Sequence, residues 1–377
     1  MSRQLRVLFL SWRDLHHPEA GGAEKYVTEV AEGLAARGHQ VTIRTAAYPG
    51  APRDEVVNGV AYTRIGGKYG VYTRALASRA TGRSRADVVV DIQNGVPFLS
   101  PAVGGHRVVN LVHHVHKEQW PVVLGPRAAR FGWWLESWLA PRVYARSAYV
   151  TVSPSTRREL AALGVDPARV RILPNGTDAP PPDTEERSAT PRIIVLGRLV
   201  PHKRVELAMD SVAKLLPDFP DLQLYVVGSG WWKQRLVDHA DKLSIADRVV
   251  LTDHVSEAEK HRLLADSWVL AVPSLKEGWG LVVVEAGVHA TPAVGFRSSG
   301  GLTDSVRHGE TGILVDNEEE FTSALRDLLN DRDLRERLGQ QACTYATQFE
   351  WRQTVDGWER LLNDVVSGGV DSAPSGQ

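Results

Sequence analysis

Short apolar runs rich in β-branched residues alternate with stretches of helical periodicity along most of this chain. The first run covers residues 7–10, a glycine loop follows at Gly21-Gly22, and apolar positions at helical spacing then predict a helix over about 23–37. Because near-continuous apolar strands must be covered on both faces, the pattern indicates an α/β architecture with parallel sheets.

The alternation is interrupted by a polar, proline-rich stretch over 179–191, which we interpret as a linker. It separates a predicted N-terminal domain, 1–178, from a predicted C-terminal domain, 192–354. Strands after the first are predicted over 41–45, 87–92, 107–112, 148–152, 193–196, 223–227, 249–252, 269–272, 293–296 and 312–315. Helices are predicted over about 319–329, 333–349 and 351–366, and a Gly/Ser-rich tail over 367–377 predicts disorder.

Composition narrows the possible classes of function. A length of 377 residues suits two domains, and a formal net charge of -1 argues against a nucleic-acid-binding protein, which usually carries a basic excess. The single cysteine, Cys343, allows no disulfide within the chain and is expected to be a packing residue. The first apolar run is too short for a signal peptide, and no run approaches the ~20 apolar residues of a membrane-spanning helix. We therefore expect a cytoplasmic protein.

The sharpest candidate for chemistry is a glycine-containing loop between a predicted strand and a predicted helix. Its two carboxylates, Glu277 and Glu285, are placed to face a ligand over the start of that helix, where free N–H groups suit a diphosphate. Gly278 and Gly280 would let the backbone approach closely, and a carboxylate in the helix could accept hydrogen bonds from ribose hydroxyls. The alternative is an ordinary strand–helix turn with two surface glutamates.

A second candidate lies at another strand–helix junction, where Gly197-Arg198 is followed by His202-Lys203. Two cations at this position suit a leaving diphosphate, because they stabilise negative charge that grows in the transition state. The alternative is a solvated basic loop. Gly228, which follows the next strand, is a weaker signal of the same kind.

Three histidines, His113, His114 and His116, follow a predicted buried strand. Neighbours on a strand point to different sides, so one metal ion could not easily take all three. A single catalytic or substrate-orienting histidine is the better interpretation, with His113 first, and local packing is the alternative. The pair Asp331-x-Asp333 falls between two helices and suits helix capping, so we expect no essential metal.

Together these motifs resemble glycosyltransferase family 4, whose members have the GT-B fold: two Rossmann-like βαβ domains with parallel sheets facing across a cleft. The resemblance extends from Val7 to about Trp351, and its most specific element is the spacing of Glu277 and Glu285. Gly197-Arg198 with Lys203 is similar to the family's phosphate-binding residues. Further matches are Gly21-Gly22, Val152-Ser153, Leu173-Pro174-Asn175-Gly176 and Asp178.

The resemblance implies roles for individual residues. Arg198 and Lys203 would bind the donor diphosphate, Glu285 the ribose, and Glu277 the hydroxyls of the transferred sugar. His113 would lie near the reacting sugar, although His114 stands where many members have an aspartate, which leaves the choice among His113, His114 and His116 open. Further donor-binding residues implied are Gly22, Gly197, Gly228, Gly278, Trp279, Gly280 and Leu281.

The function that the resemblance implies is transfer of a hexose-type sugar from a nucleoside-diphosphate sugar to an acceptor hydroxyl. Family members retain the anomeric configuration and generally need no metal, and their last helix, here about 355–366, commonly joins the first domain. Two alternatives stay open: a sugar-nucleotide epimerase of the same fold, and a non-catalytic protein that binds nucleotide-sugars.

We expect the acceptor to be a small molecule or a lipid-linked one, although no residue identifies it. A stretch over 127–146 mixes aromatic and basic residues, a combination that can lie at a membrane surface and would place the protein against the inner membrane face. The favoured interpretation is a helix that packs its tryptophans inside and exposes its arginines. The residues concerned are Phe131, Trp133, Trp134, Trp138, Leu139, Arg127, Arg130, Arg142 and Arg146, with Trp120 and Lys68-Tyr69 as further candidates for the acceptor side.

Overall fold

A computed structural model of the chain describes residues 3–81, 85–105, 107–178 and 187–368. The chain divides into two compact units, Met1–Gly176 together with Trp351–Gln377, and Thr177–Glu350. Most of the predicted linker, 179–186, lies outside the described residues, and so does the predicted tail from 369 onward.

Each unit is built on one sheet. The strands of the first unit are β1 Arg6–Leu10, β2 Gln40–Thr45, β3 Asp54–Val57, β4 Val60–Arg64, β5 Val88–Ile92, β6 Val108–Val112, β7 Ala148–Thr151 and β8 Val170–Ile172. The strands of the second are β9 Arg192–Leu196, β10 Gln223–Val227, β11 Val249–Leu251, β12 Val269–Val272, β13 Ala293–Phe296 and β14 Gly312–Val315.

Helices connect the strands. In the first unit they are α1 Gly22–Ala36, α2 Gly70–Ala80, α3 Pro101–Gly104, α4 Trp120–Val123, α5 Pro126–Trp134, α6 Ala140–Val143, α7 Pro154–Ala162 and, after the second unit, α15 Trp351–Ser367. In the second they are α8 Val205–Leu215, α9 Lys233–Lys242, α10 Glu257–Asp266, α11 Leu281–Gly287, α12 Leu302–Ser305, α13 Glu318–Asn330 and α14 Arg332–Ala346. A π-helical turn, Leu135–Leu139, joins α5 to α6.

The first sheet has the order β3-β4-β2-β1-β5-β6-β7-β8, and the second has the order β11-β10-β9-β12-β13-β14. Apart from the antiparallel pair β3–β4, the paired strands run parallel. In each sheet the chain starts near the middle and winds to both sides, so a switch point lies beside the first strand, β1 or β9. At such a point the loops after neighbouring strands diverge and leave room for a ligand.

The strands that the sequence predicts are all present, with ends that match or differ by one residue. The hairpin β3–β4 and the short strand β8 were missed, although the hairpin carries a recognisable signal. Asn58 and Gly59 form its turn with φ of +50° and +80°, the left-handed pair that a tight hairpin requires. Their Asn-Gly sequence between two apolar, β-branched stretches is the strongest short-range predictor of such a turn.

Helix α15 packs on the first unit. The ring of Trp358 is fully buried, its Nε1 donates to the Tyr26 hydroxyl at 2.8 Å, and that hydroxyl donates to the Leu173 carbonyl at 2.9 Å. Gly33 of α1 contacts Val355 so closely that any side chain at position 33 would collide with it. Burial of Trp358 contributes on the order of 3 kcal/mol to this packing.

Candidate functional site

In the second unit, the loops after β9, β10, β12 and β13 converge at the carboxyl edge of the sheet. Gly197 follows β9 and Gly228 follows β10, with φ of +151° and +134°. A Cβ on Gly228 would collide with the carbonyl oxygen of Gly197. Glycine is therefore required at 228 for the two loops to pass each other, and this contact fixes the backbone just before Arg198.

Lys203 and Glu277 lie together at this edge. The carbonyl of His202 accepts a hydrogen bond from the Leu275 N–H at 2.8 Å, which joins the loop after β9 to the loop after β12. Nζ of Lys203 is 2.5 Å from Oε1 of Glu277, and both side chains are largely buried. The pair therefore forms part of the inner wall of the site.

A small pocket opens beside this pair. Its wall includes Gly197, Arg198 and Lys203, so the sequence-predicted cations line the same space. The remaining lining residues are Val195, Leu196, Val205, Ala271, Val272, Pro273 and Ser274. Arg198 and Lys203 therefore lie on a largely apolar wall, where charges interact more strongly than in open water.

The Glu277 loop is anchored by residues that the sequence did not single out. The Glu277 N–H donates to the Ser299 carbonyl at 2.8 Å, and the Glu277 carbonyl accepts from the Gly301 N–H at 3.0 Å. A Cβ on Gly301 would collide with the backbone at Gly278. The signal that could have found this anchor is the Gly300-Gly301 pair after β13, at the same sheet edge.

Glu285 lies on the inner side of α11, a helix of 7 residues. Its carboxylate is 6% exposed and 2.8 Å from Nζ of Lys260, which is 8% exposed and comes from α10. The structure thus pairs Glu285 with Lys260, a residue that the sequence analysis did not name. Gly280 precedes the helix with φ of +83°, and the Trp279 ring packs inside the unit against Phe349.

In the first unit, His113 follows β6 and is 6% exposed. The edge of its ring packs against Tyr26, with ring centroids 5.2 Å apart. Within the described residues, its Nε2 is buried and has no hydrogen-bond partner. Burial lowers the pKa of His113 to about 4, although the nearby carboxylate of Glu24 opposes this, so the ring is neutral near pH 7.

The glycine loop of the first unit is held by a buried ion pair. The Gly21 N–H donates to Oε2 of Glu24 at 2.8 Å, while Nε of Arg13 donates to Oε1 of the same carboxylate at 3.1 Å. Gly22 begins α1 directly after this anchor. Neither Arg13 nor Glu24 was predicted to have a role in the site, although a glutamate three residues after a helix cap is a capping-box signal.

The other two histidines have separate partners. His116 contacts the buried carboxylate of Glu136 at 2.9 Å through Nδ1, and the ring of His114 contacts Gln119 at 3.2 Å. Among the described residues there is no group of three His, Cys, Asp or Glu side chains arranged to hold a metal ion. Asp331 accepts a hydrogen bond from the Leu334 N–H and caps α14, as the sequence predicts.

The expectation that the tryptophans of 127–146 pack inside is wrong for most of them. Trp133 packs against the core, but Phe131, Trp134 and Trp138 are exposed. The core side of this helical segment is instead taken by Ala129, Gly132, Glu136 and Ala140. Within the described residues, no helix is long and apolar enough to cross a bilayer.

Known protein families match both units. Residues 20–179 match Glycosyltransferase Family 4, and residues 178–344 match Glycosyl transferases group 1. A D-inositol 3-phosphate glycosyltransferase of Geodermatophilus obscurus is 30% identical over 405 residues, covering 94% of this chain and 88% of that protein. This chain belongs to glycosyltransferase family 4.

Other similarities are shorter or lower in identity. A D-inositol 3-phosphate glycosyltransferase of Nocardia farcinica is 32% identical over 220 residues, 53% of this chain, and the match spans about half of the relative's length, 49%. Sucrose-phosphate synthase from Thermosynechococcus elongatus covers 97% of this chain and 100% of its own at a TM-score of 0.83 and 20% identity. Anabaena Alr3699/HepE in complex with UDP-glucose covers 97% of this chain and 100% of its own at a TM-score of 0.73 and 16% identity. These likenesses confirm the predicted GT-B fold class.

Proposed function

We propose that this chain is a glycosyltransferase that moves a hexose-type sugar from a nucleoside-diphosphate sugar to an acceptor hydroxyl. The reaction would retain the anomeric configuration and need no essential metal ion. The observation that carries the proposal is the Lys203–Glu277 pair beside a pocket that Arg198 also lines. Family membership and the UDP-glucose bound to Alr3699/HepE support the class of donor.

Arg198 and Lys203 would receive the diphosphate. Arginine offers a planar fork that matches two phosphate oxygens, and lysine offers a compact point charge. When the bond to the sugar breaks, negative charge grows on the leaving phosphate, and cations fixed beforehand stabilise it without reorganisation. Two protein cations at this position could serve in place of a metal ion, which is why we propose metal-independent transfer.

The two carboxylates would bind hydroxyl groups on either side of the diphosphate. Glu277 would accept hydrogen bonds from the transferred sugar while its other oxygen stays with Lys203, and Glu285 would accept from the ribose. The backbone at Gly278, Gly280 and Leu281 would contact the donor between them. In the first unit, the neutral ring of His113 and the loop at Gly22 would serve the reacting sugar and phosphates.

The acceptor would present a hydroxyl group. D-Inositol 3-phosphate is the first compound to test, because it is named for relatives that align over most of this chain. Sugars, polyols and lipid-linked hydroxyl acceptors form the rest of the panel.

The test is an assay of the purified chain with UDP- and GDP-hexoses and this acceptor panel. Mass spectrometry would identify a glycosylated acceptor, release of the nucleoside diphosphate would give the rate, and the coupling constant of the new anomeric proton would give the stereochemistry. We expect turnover in excess EDTA, retention, and a large loss of rate in Glu277→Ala with the fold intact.

Two outcomes would favour the other hypotheses. Conversion of a nucleotide-sugar into its epimer without any acceptor would identify an epimerase. A non-catalytic binding protein would bind the donor tightly and show neither transfer nor hydrolysis. In that case Glu277→Ala would change only the affinity for the donor.

A further inference from the structure

The helical segment 126–143 and the short helix before it present an apolar surface on the first unit. Phe131, Trp134 and Trp138 are 60%, 43% and 45% exposed. Proteins that stay free in water rarely leave a patch of this kind uncovered. We call it the ring surface, and it consists of Val122, Val123, Leu124, Phe131, Trp134 and Trp138.

The three rings form one continuous row. Their spacing of three and four residues places them on one side of the helical segment. The ring centroids of Phe131 and Trp134 are 5.9 Å apart at an interplanar angle of 25°, and those of Trp134 and Trp138 are 5.3 Å apart at 18°. The row is therefore a flat apolar strip rather than a group of unrelated side chains.

Arginines extend the strip at both ends. Arg127 and Arg142 lie four residues before Phe131 and four after Trp138, and both are exposed. The Arg142 guanidinium lies over the Trp138 ring, 4.3 Å from its centroid. Arg130 and Arg146 add two further exposed cations nearby.

Over 119–158, all of which the structure describes, no carboxylate is exposed. Glu136 is the one acidic residue in that range, and it is buried. Its oxygens accept hydrogen bonds from the Trp120 Nε1 at 2.8 Å and from the His116 backbone N–H at 3.1 Å. The exposed charges of 119–158 are thus all positive, and the nearest exposed carboxylate along the chain is Glu118, just before this range.

The core side of the segment is firmly packed. The Trp120 ring lies so close to Gly95 and Gly132 that a Cβ at either glycine would come within 2.9 Å of it. Through Glu136 the same segment is tied to His116, in the loop after β6. The outward display of the rings is therefore a fixed property of the fold.

We propose that the ring surface docks onto an anionic lipid bilayer, with its rings at the headgroup level and its arginines on lipid phosphates. Tryptophan favours that depth because the ring is apolar and its N–H polar, and arginine binds phosphate through two parallel hydrogen bonds. A second copy of the chain is a poorer occupant, because pairing this surface with itself would set its arginines against arginines.

The experiment is co-sedimentation of the full chain with unilamellar vesicles, either phosphatidylcholine alone or phosphatidylcholine with about 30% phosphatidylglycerol as the lipid composition used. We expect binding to the anionic vesicles that weakens with salt. Binding should fall more than about tenfold in Trp134→Ser/Trp138→Ser, which removes two of the three exposed rings. It should also fall more than about tenfold in Arg127→Glu/Arg130→Glu, since each juxtamembrane cation changes affinity roughly fivefold.

The controls are Trp231→Ser, at a tryptophan of the second unit that is 59% exposed, and Arg74→Glu/Arg352→Glu, at exposed arginines outside the ring surface. Both should bind vesicles like the unchanged chain. Equal binding by the ring-surface variants, or no binding to anionic vesicles, would overturn the proposal. Concentration-dependent dimerisation that Trp134→Ser/Trp138→Ser abolishes, without vesicle binding, would assign the surface to a second copy instead. Because the assay needs no donor, its result is independent of glycosyl transfer.

Discussion

Nζ of Lys203 lies 2.5 Å from Oε1 of Glu277, although 74 positions separate the two residues along the chain. The contact connects the loops that follow β9 and β12, which are neighbouring strands. It holds the lysine beside the pocket before any donor arrives. A fixed cation loses less side-chain freedom on binding an anion, so the pair prepares Lys203 for a diphosphate.

Substitution of either cation should therefore reduce catalysis. We expect Lys203→Met and Arg198→Met each to lower kcat/KM for transfer by about 10²–10³-fold, the typical effect of removing one group that stabilises developing charge. Lys214→Met, which removes an exposed lysine from α8 in the same unit, is the control and should keep full activity. Steady-state kinetics at saturating acceptor would measure this, and equal rates for Lys203→Met and Lys214→Met would contradict it.

The Lys260–Glu285 pair allows a structural role to be separated from a ligand-binding role. Lys260→Met should destabilise the second unit by about 3 kcal/mol, because it removes the cation that is ion-paired with a buried carboxylate. Lys260→Met/Glu285→Gln should recover most of that stability, since neither buried charge remains. Urea unfolding would show both effects.

If Glu285 also binds the ribose, Glu285→Gln should raise the donor KM about tenfold, the effect of losing a charge-assisted hydrogen bond. The stability-restored double variant should show the same increase. A donor KM that returns to normal in the double variant would assign Glu285 a purely structural role.

Burial of His113 has a consequence for stability in acid. Its pKa is about 4 in the folded chain and 6.5 for a solvent-exposed histidine, so between these values the unfolded chain binds the extra proton. The free energy of unfolding then rises with pH in this window, and the contribution of His113 is lost as pH falls from 6.5 to about 4. At about 1.4 kcal/mol per pH unit, the loss is about 3 kcal/mol at most.

His113→Asn should flatten this part of the stability profile, because asparagine does not titrate. Denaturant unfolding at a series of pH values would measure it, with His254→Asn, a substitution at an exposed histidine, as the control. An unchanged acid slope in His113→Asn would show that the buried ring does not carry this dependence.

Gly228 should tolerate no side chain. Gly228→Ala would push a Cβ into the Gly197 carbonyl oxygen and displace the backbone before Arg198. We expect at least about tenfold weaker binding of nucleoside diphosphate, measured by calorimetry, together with a lower Tm. Gly67→Ala is the matched control, because a Cβ at that position meets no atom within 4 Å, and it should change neither quantity.

The sequence was most informative where structure follows from local periodicity. Buried parallel strands and the helices between them leave a repeating apolar signal, and the glycines and cations at their ends lie where α/β sheets place ligands. The capping role of Asp331 was likewise predictable, because the cap and its helix are adjacent.

Contacts between distant segments could not be predicted in this way. Glu285 carries no local sign that Lys260 of α10 will meet it, nor does Glu277 indicate its proximity to Lys203. The exposed rings were missed for a different reason. A helix normally turns its largest apolar side chains inward, but here Trp120 fills the space at Gly132, so small residues face the core and Trp134 and Trp138 point outward.

The hydrogen bond between Tyr26 and Trp358 spans 332 positions, and it sets an order for folding during synthesis. The first unit cannot complete its core until α15, which follows the whole second unit in the chain, has left the ribosome. The second unit is continuous in the chain and can fold as soon as Glu350 emerges, so it would finish first. A chain stopped just before Trp351 would then carry a folded second unit and a first unit in which Tyr26 and Gly33 of α1 lack their contacts with α15, a state open to proteolysis.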